Sequence, residues 1–154
     1  MTRSIVIADA SALMALDNIG EIEVLSKLFS TVTITPEVAS EFGRQLPYWI
    51  DVRSSSSGFL HRPEINGLDL GEASSIVLAL ESDDPLLIID EKKGRRVAEQ
   101  LNIDIIGTVG VLIRAKNAGF INHSETLSAR LESTDFRLNN VLRSLLIESG
   151  DNIH

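Results

Sequence analysis

Asp9 and Asp90 each close an apolar run, Ser4-Ile5-Val6-Ile7-Ala8 in the first case and Pro85-Leu86-Leu87-Ile88-Ile89 in the second. Continuous rather than alternating apolar character predicts strands covered on both faces, as in a parallel sheet. The carboxyl ends of such strands line the ligand crevice, so both acids fall where chemistry is done. Two further acids accompany them: Glu41, late in a helical pattern just before Phe42, and Glu72, at a helix start beside Gly71. Four carboxylates without cations repel one another, and a hard divalent ion relieves them. With oxygen donors and no cysteine in the chain, Mg²⁺ or Mn²⁺ is the expected class, whose work is to activate water and stabilise a phosphoryl transition state. Each acid also has a plainer reading. Asp9 can be a cap or turn residue, Glu41 an exposed side chain, and Glu72 a complement to the helix dipole.

The elements that must position these acids follow from periodicity. Ser11 can cap the helix after Asp9, and Ala12 to Leu16 forms a compact apolar stretch broken at Asn18-Ile19-Gly20. Ile22, Leu25, Leu28 and Phe29 recur at helical spacing, which gives a second short helix. Thr31 to Thr35 alternates as a strand, and Pro36 opens a helix with Thr35 as its cap and Gly43 near its end. From Arg44 to Gly67 no period holds, and Ser54 to Gly58 reads as a loop. The only Tyr and Trp of the chain, Tyr48 and Trp49, lie there beside Arg44 and Arg53, suited to a core or subunit contact or to stacking on unpaired bases. Helix Gly71 to Glu81, strand Leu86 to Ile89, a helix from about Glu91 to Leu101, a buried strand Ile103 to Ile106 and a helix Val109 to Lys116 capped by Thr108 complete the alternation. Strand, helix, strand, helix implies right-handed crossovers and a parallel sheet. The expected architecture is three-layer α/β/α with about four to five short strands, in a single domain over 1–154 whose C-terminal helices, from about 122, pack on the same body.

Composition narrows the class. A chain of 154 residues with 44% hydrophobic content can bury one ordinary core. A net charge of −8 excludes nucleic-acid binding by general electrostatics, so a polyanion must be met by a bound cation or a local basic patch. No apolar run reaches bilayer-spanning length and the N-terminus lacks a signal pattern, which reads as a soluble, cytoplasmic protein. Such a patch exists: Lys92, Lys93, Arg95 and Arg96 crowd the first turns of the helix after Asp90. They face the positive end of the helix dipole, a local rule broken in a way that often marks function. They can contact phosphate, or form a solvated face with pairing from Glu99 to Arg95 or Arg96. His61, His123 and His154 fall outside every motif.

Taken together, these pieces resemble the PIN domain, the metal-dependent ribonuclease fold of VapC-type toxins, and in particular a branch of PIN-like domains of unknown function. The matching fragments are Ile7-Ala8-Asp9-Ala10-Ser11, Pro36-Glu37-Val38-Ala39-Ser40-Glu41, Leu70-Gly71-Glu72-Ala73 and Ile88-Ile89-Asp90-Glu91-Lys92-Lys93-Gly94-Arg95-Arg96. Gly107-Thr108-Val109-Gly110-Val111-Leu112 is the branch's own signature. The resemblance runs from about Ile5 to Ile121. It implies that Asp9, Glu41, Glu72 and Asp90 hold one or two Mg²⁺ or Mn²⁺ ions and that the reaction is hydrolysis of an RNA phosphodiester. It also implies supporting roles for Ser11, Glu91 and Thr108 around those acids, a homodimer, and a small antitoxin that blocks the site. The chain departs from many PIN enzymes in carrying Glu72 where they carry Asp.

Rival folds fail on particular residues. A receiver domain needs paired acids after its first strand and a Lys after a late one, but Asp9 stands alone and Gly107-Thr108 follows Ile106. A haloacid-dehalogenase phosphatase needs Asp two positions after its nucleophile, where this chain has Ser11. A PIN-like domain with a residual site that acts by binding a protein partner is the remaining alternative.

Overall fold

A computed structural model of the chain describes Arg3, residues 5–56 and residues 62–121. The helices expected beyond about 122, and all three histidines, lie outside the described residues. Five strands, β1 (Ile5–Ala8), β2 (Val32–Ile34), β3 (Ile50–Val52), β4 (Pro85–Ile88) and β5 (Asp104–Ile106), form one sheet in the order β3-β2-β1-β4-β5. Every neighbouring pair is parallel, with β1 and β4 in register from Ile5 opposite Pro85 to Ala8 opposite Ile88. Among the described residues six α-helices accompany them: α1 (Ala10–Asn18), α2 (Val24–Leu28), α3 (Pro36–Phe42), α4 (Leu70–Leu80), α5 (Lys92–Gln100) and, after the last strand, α6 (Thr108–Asn117).

The uninterrupted apolar runs are explained by two cores. Val6 and Ala8 of β1, with Leu86 and Ile88 of β4, pack under residues of α1, α2, α3 and α6. Their alternates Ile5, Ile7 and Leu87, with Ile89, pack under α4 and α5. A strand covered on both faces cannot afford a polar position until it emerges, and the first polar residue after each of these two strands is one of the candidate acids. Burial of side chains such as Ile7 and Leu87, which expose none of their surface, contributes about 1.5–3 kcal/mol each.

Chain order reverses across β1 and β4: the chain runs outward from β1 through β2 to β3, then returns to the other side of β1. That is the switch point at which helices diverge to opposite faces and leave a crevice. The ladder continues just past the strands, with Asp9 N–H donating to Ile88 O at 2.9 Å and Ile89 N–H to Ile106 O at 2.9 Å. Asp9 and Asp90 therefore leave the sheet side by side.

Two expectations are corrected here. The stretch from Arg44 to Gly67 is not wholly irregular, because Ile50–Val52 adds a parallel edge strand and Pro63–Ile65 a short 3₁₀ turn. An edge strand of three residues, with only Ile50 buried, leaves no period to read. The strand ending at Ile106 is also an edge, with Asp104 exposed and Ile105 and Ile106 half-buried rather than buried.

Candidate active site

Local sequence accounts for the placement of each acid. Asp9 occupies the N-cap position of α1 in an extended conformation, yet its carboxylate makes no capping bond. It is 2% exposed, and its Oδ1 has no hydrogen-bond partner. Burial pushes its pKa up to about 7 against the lowering effect of the Ala10 N–H, and the nearby charges of Asp69, Glu41 and Asp90 add to the rise. A cap would have used that oxygen; here it is held without one.

Glu41 rides on the last turn of α3, which Gly43 ends in a left-handed conformation at φ 61°. Thr35 caps that helix, its Oγ1 accepting Val38 N–H at 3.2 Å, and it exchanges a buried hydrogen bond with Ser74 Oγ at 2.7 Å. Because Ser74 and Ser75 both donate to Gly71 O, a polar seam locks the start of α3 to the start of α4. The Glu41 carboxylate crosses that junction and accepts Gly71 N–H at 3.0 Å. Partial burial and the charge of Asp69 raise its pKa, against the lowering effect of that N–H.

Glu72 is buried in the first turn of α4, where its Oε2 has no partner. Its own backbone N–H is capped by Asp69 Oδ1 at 2.8 Å. Desolvation first, then Asp69, Asp9 and Glu91, push its pKa up to about 8. Asp90 is the satisfied member of the group: Thr108 donates to it twice, through N–H to Oδ1 at 2.7 Å and through its hydroxyl to Oδ2.

The sequence-derived candidates thus divide. Asp9, Glu41, Glu72 and Asp90 are brought to one end of the sheet. Thr108 is held against Asp90 as a donor, not as a cap, since Gly107 takes the cap position of α6. Glu91 caps α5 in position only and acts on Glu72 through its charge. Ser11 neither caps α1 nor bonds to any described acid; it lies exposed in the first turn. Asp69 is the member that sequence reasoning missed. Its signal was present as Asp69-Leu70-Gly71-Glu72, an acid three residues before another at a helix start, a pattern that ordinary capping explains.

Glycines let the backbone reach these carboxylates. A Cβ on Gly71 would stand 2.5 Å from Glu41 Oε1, and one on Gly94 would stand 2.8 Å from Glu72 Oε2. On Gly107 it would stand 2.9 Å from Asp90 Oδ1 and 2.8 Å from Arg95 Nη1. Gly94 interrupts a helix, where glycine costs about 1 kcal/mol against alanine, and this close approach is the reason it is needed.

The basic turn of α5 adjoins the acids without neutralising them. Lys93 Nζ donates to Gly67 O at 3.0 Å, Arg95 lies beside Gly107 and Asp90, and Lys92 and Arg96 are exposed. Among the described residues none of the four forms an ion pair, including the pairing with Glu99 that helical spacing allowed. Trp49 is packed against the core and donates to Glu23 at 3.1 Å, whereas Tyr48 is 98% exposed.

The donor set fits a hard cation. All donors are carboxylate oxygens, and two of them are buried with no partner. Among the described residues, no three acids yet close around one point as a finished ligand set. The acids converge on a common region, and their side chains stand apart within it.

A family model described as a PIN domain matches residues 5–151, nearly the whole sequence. The chain belongs to the PIN-domain family, whose fold is of the nuclease type. No curated protein matches it in a sequence search.

Proposed function

We propose that this protein is a divalent-metal-dependent endoribonuclease that hydrolyses RNA phosphodiester bonds. The observation that carries this reading is the pair of buried, unpartnered carboxylate oxygens, Asp9 Oδ1 and Glu72 Oε2, at the switch point of the sheet. Asp9, Glu41, Glu72 and Asp90 would hold Mg²⁺ or Mn²⁺, which supplies a nucleophilic water at neutral pH and charge stabilisation of the phosphoryl group. Thr108 holds Asp90 in one orientation, and Gly71 N–H holds Glu41. Lys92, Lys93, Arg95 and Arg96 supply the local attraction for RNA that the net charge denies. On the resemblance to VapC-type toxins, the reading extends to the toxin of a toxin–antitoxin pair, with a homodimer and a small protein inhibitor.

The spacing of the acids favours one second reading, a PIN-like domain with a weak site that acts through a protein partner. Incubating the purified protein with a mixed RNA pool in Mg²⁺, Mn²⁺ or EDTA, and mapping the ends, separates the two. Discrete metal-dependent cuts support the nuclease; intact RNA in every arm supports the binding module.

A further inference from the structure

Leu70 is the residue of α4 that its surroundings do not explain. It is 71% exposed, although Asp69 on one side and Gly71 and Glu72 on the other belong to the acid site. Single exposed leucines are ordinary on a protein surface. This one lines a mostly apolar groove of about 360 Å³ with Pro36, Glu37, Ser40 and Glu41, between α3 and α4. Glu41, which accepts Gly71 N–H at 3.0 Å, is one of the residues that line it, so the groove opens beside the acids.

Charge decides what such a groove accepts. Two carboxylates, Glu37 and Glu41, line it and no cation does, so a phosphate is repelled from it. An unpaired nucleobase is neutral, presents a flat apolar face to Leu70 and Pro36, and in adenine, cytosine and guanine carries an exocyclic amine that donates to a carboxylate. The basic turn of α5 takes the other half of a nucleotide, its phosphate. We propose that Leu70 and Pro36 form a ledge for the base of a nucleotide flanking the scissile phosphodiester, with Glu37 receiving its amino edge. The proposal rests on the nuclease reading for the neighbouring site, and it adds a base preference next to the cut.

The test uses the full chain and short single-stranded RNAs in which one abasic position is walked along the strand. Binding is measured in Ca²⁺, an oxygen-seeking ion, with wild type, Leu70→Ser and Leu70→Phe. In the wild type, affinity should fall about tenfold when the abasic position reaches one nucleotide, the low end of what a lost apolar contact removes. Leu70→Ser should bind intact RNA about tenfold more weakly and ignore that abasic position, while Leu70→Phe restores both affinity and sensitivity. Penalties that simply add, the absence of any sensitive position, or no RNA binding at all would each overturn the ledge. Light scattering runs alongside: additive penalties with a change of oligomeric mass in Leu70→Ser would make this face a contact between copies. Cleavage in Mn²⁺ is scored separately. A coupled ledge on a protein that never cuts would overturn the nuclease reading and leave the ledge standing.

Discussion

The two ends of the sheet treat their acids in opposite ways. At the amino end, Arg3 reaches Asp84 at 2.8 Å and Asp104 at 2.6 Å, tying the starts of β4 and β5 together in a cleft that is open to solvent. At the carboxyl end the basic turn of α5 stands close by, yet Asp9 Oδ1 and Glu72 Oε2 are buried with no partner. An acid meant only to hold the fold together is given a partner. A carboxylate oxygen left buried without a partner destabilises the fold by itself, and under the proposed activity it is kept for a ligand that arrives later.

The widest break in that comparison is expected from Asp9→Asn. It keeps size and removes charge, so RNA cleavage should fall by about two orders of magnitude or more, while the circular dichroism spectrum holds. Wild-type cleavage rates in Mg²⁺ would show that the site lies elsewhere.

Metal should have the next largest effect. Ions that bind only the native state raise the melting temperature with saturation, by about 2.7 kcal/mol at a hundredfold excess over Kd, or roughly 5–10 °C here. The increment depends on pH. The Asp9 carboxyl is raised to about 7 and that of Glu72 to about 8. A carboxyl raised on folding binds its proton more tightly in the native state, so stability is lost as pH climbs through these values. Metal-free protein should therefore melt higher at pH 5 than at pH 8, and Mn²⁺ should help most at pH 8. A melting curve indifferent to millimolar Mn²⁺ favours the partner-binding reading.

Gly94→Ala sharpens the contrast between stability and site geometry. The new methyl meets Ile89 Cδ1 at 2.6 Å and Glu72 Oε2 at 2.8 Å, both side-chain ends that can move. Improved helix propensity, about 1 kcal/mol, offsets the crowding in stability. Displacing Glu72 should still weaken Mn²⁺ affinity about tenfold, as read by calorimetry. Equal Mn²⁺ affinities would remove Glu72 from the ligand set.

The paired Lys93→Gln, Arg96→Gln change should weaken RNA binding in Ca²⁺ and make its salt dependence shallower by about one unit of slope per lost phosphate contact. An unchanged slope assigns the cluster to the surface. The smallest effect belongs to the amino end. Arg3→Met breaks two solvent-facing pairs and should lower stability by no more than about 1 kcal/mol. A loss of cleavage in Arg3→Met, at temperatures where the variant stays folded, would collapse the distinction between the two ends.

What the sequence made legible was set by the range of the physics involved. Asp9 and Asp90 could be read because a doubly covered strand advertises where it stops. Glu41 was singled out by its place late in a helical pattern, but there it looks like any exposed acid, and the resemblance gave it weight. Asp69 was hidden by its second use as a cap for α4. The seam from Thr35 to Ser74 joins neutral residues 39 positions apart, and no local pattern announces it. The glycine contacts at Gly94 and Gly107 depend on packing between elements, which periodicity along one element does not contain.

The register of β1 against β4 has a consequence for how the protein is made. Ile5 to Ala8 gain their second neighbouring strand only with Pro85 to Ile88, and Asp90 acquires its donor only with Thr108. At about 5–20 residues per second, several seconds of translation separate the emergence of Asp9 from that of Asp90. No fragment shorter than this contains both halves of the site. Under the proposed activity, the ribosome releases almost the entire described chain before any of it can attack the message that encodes it.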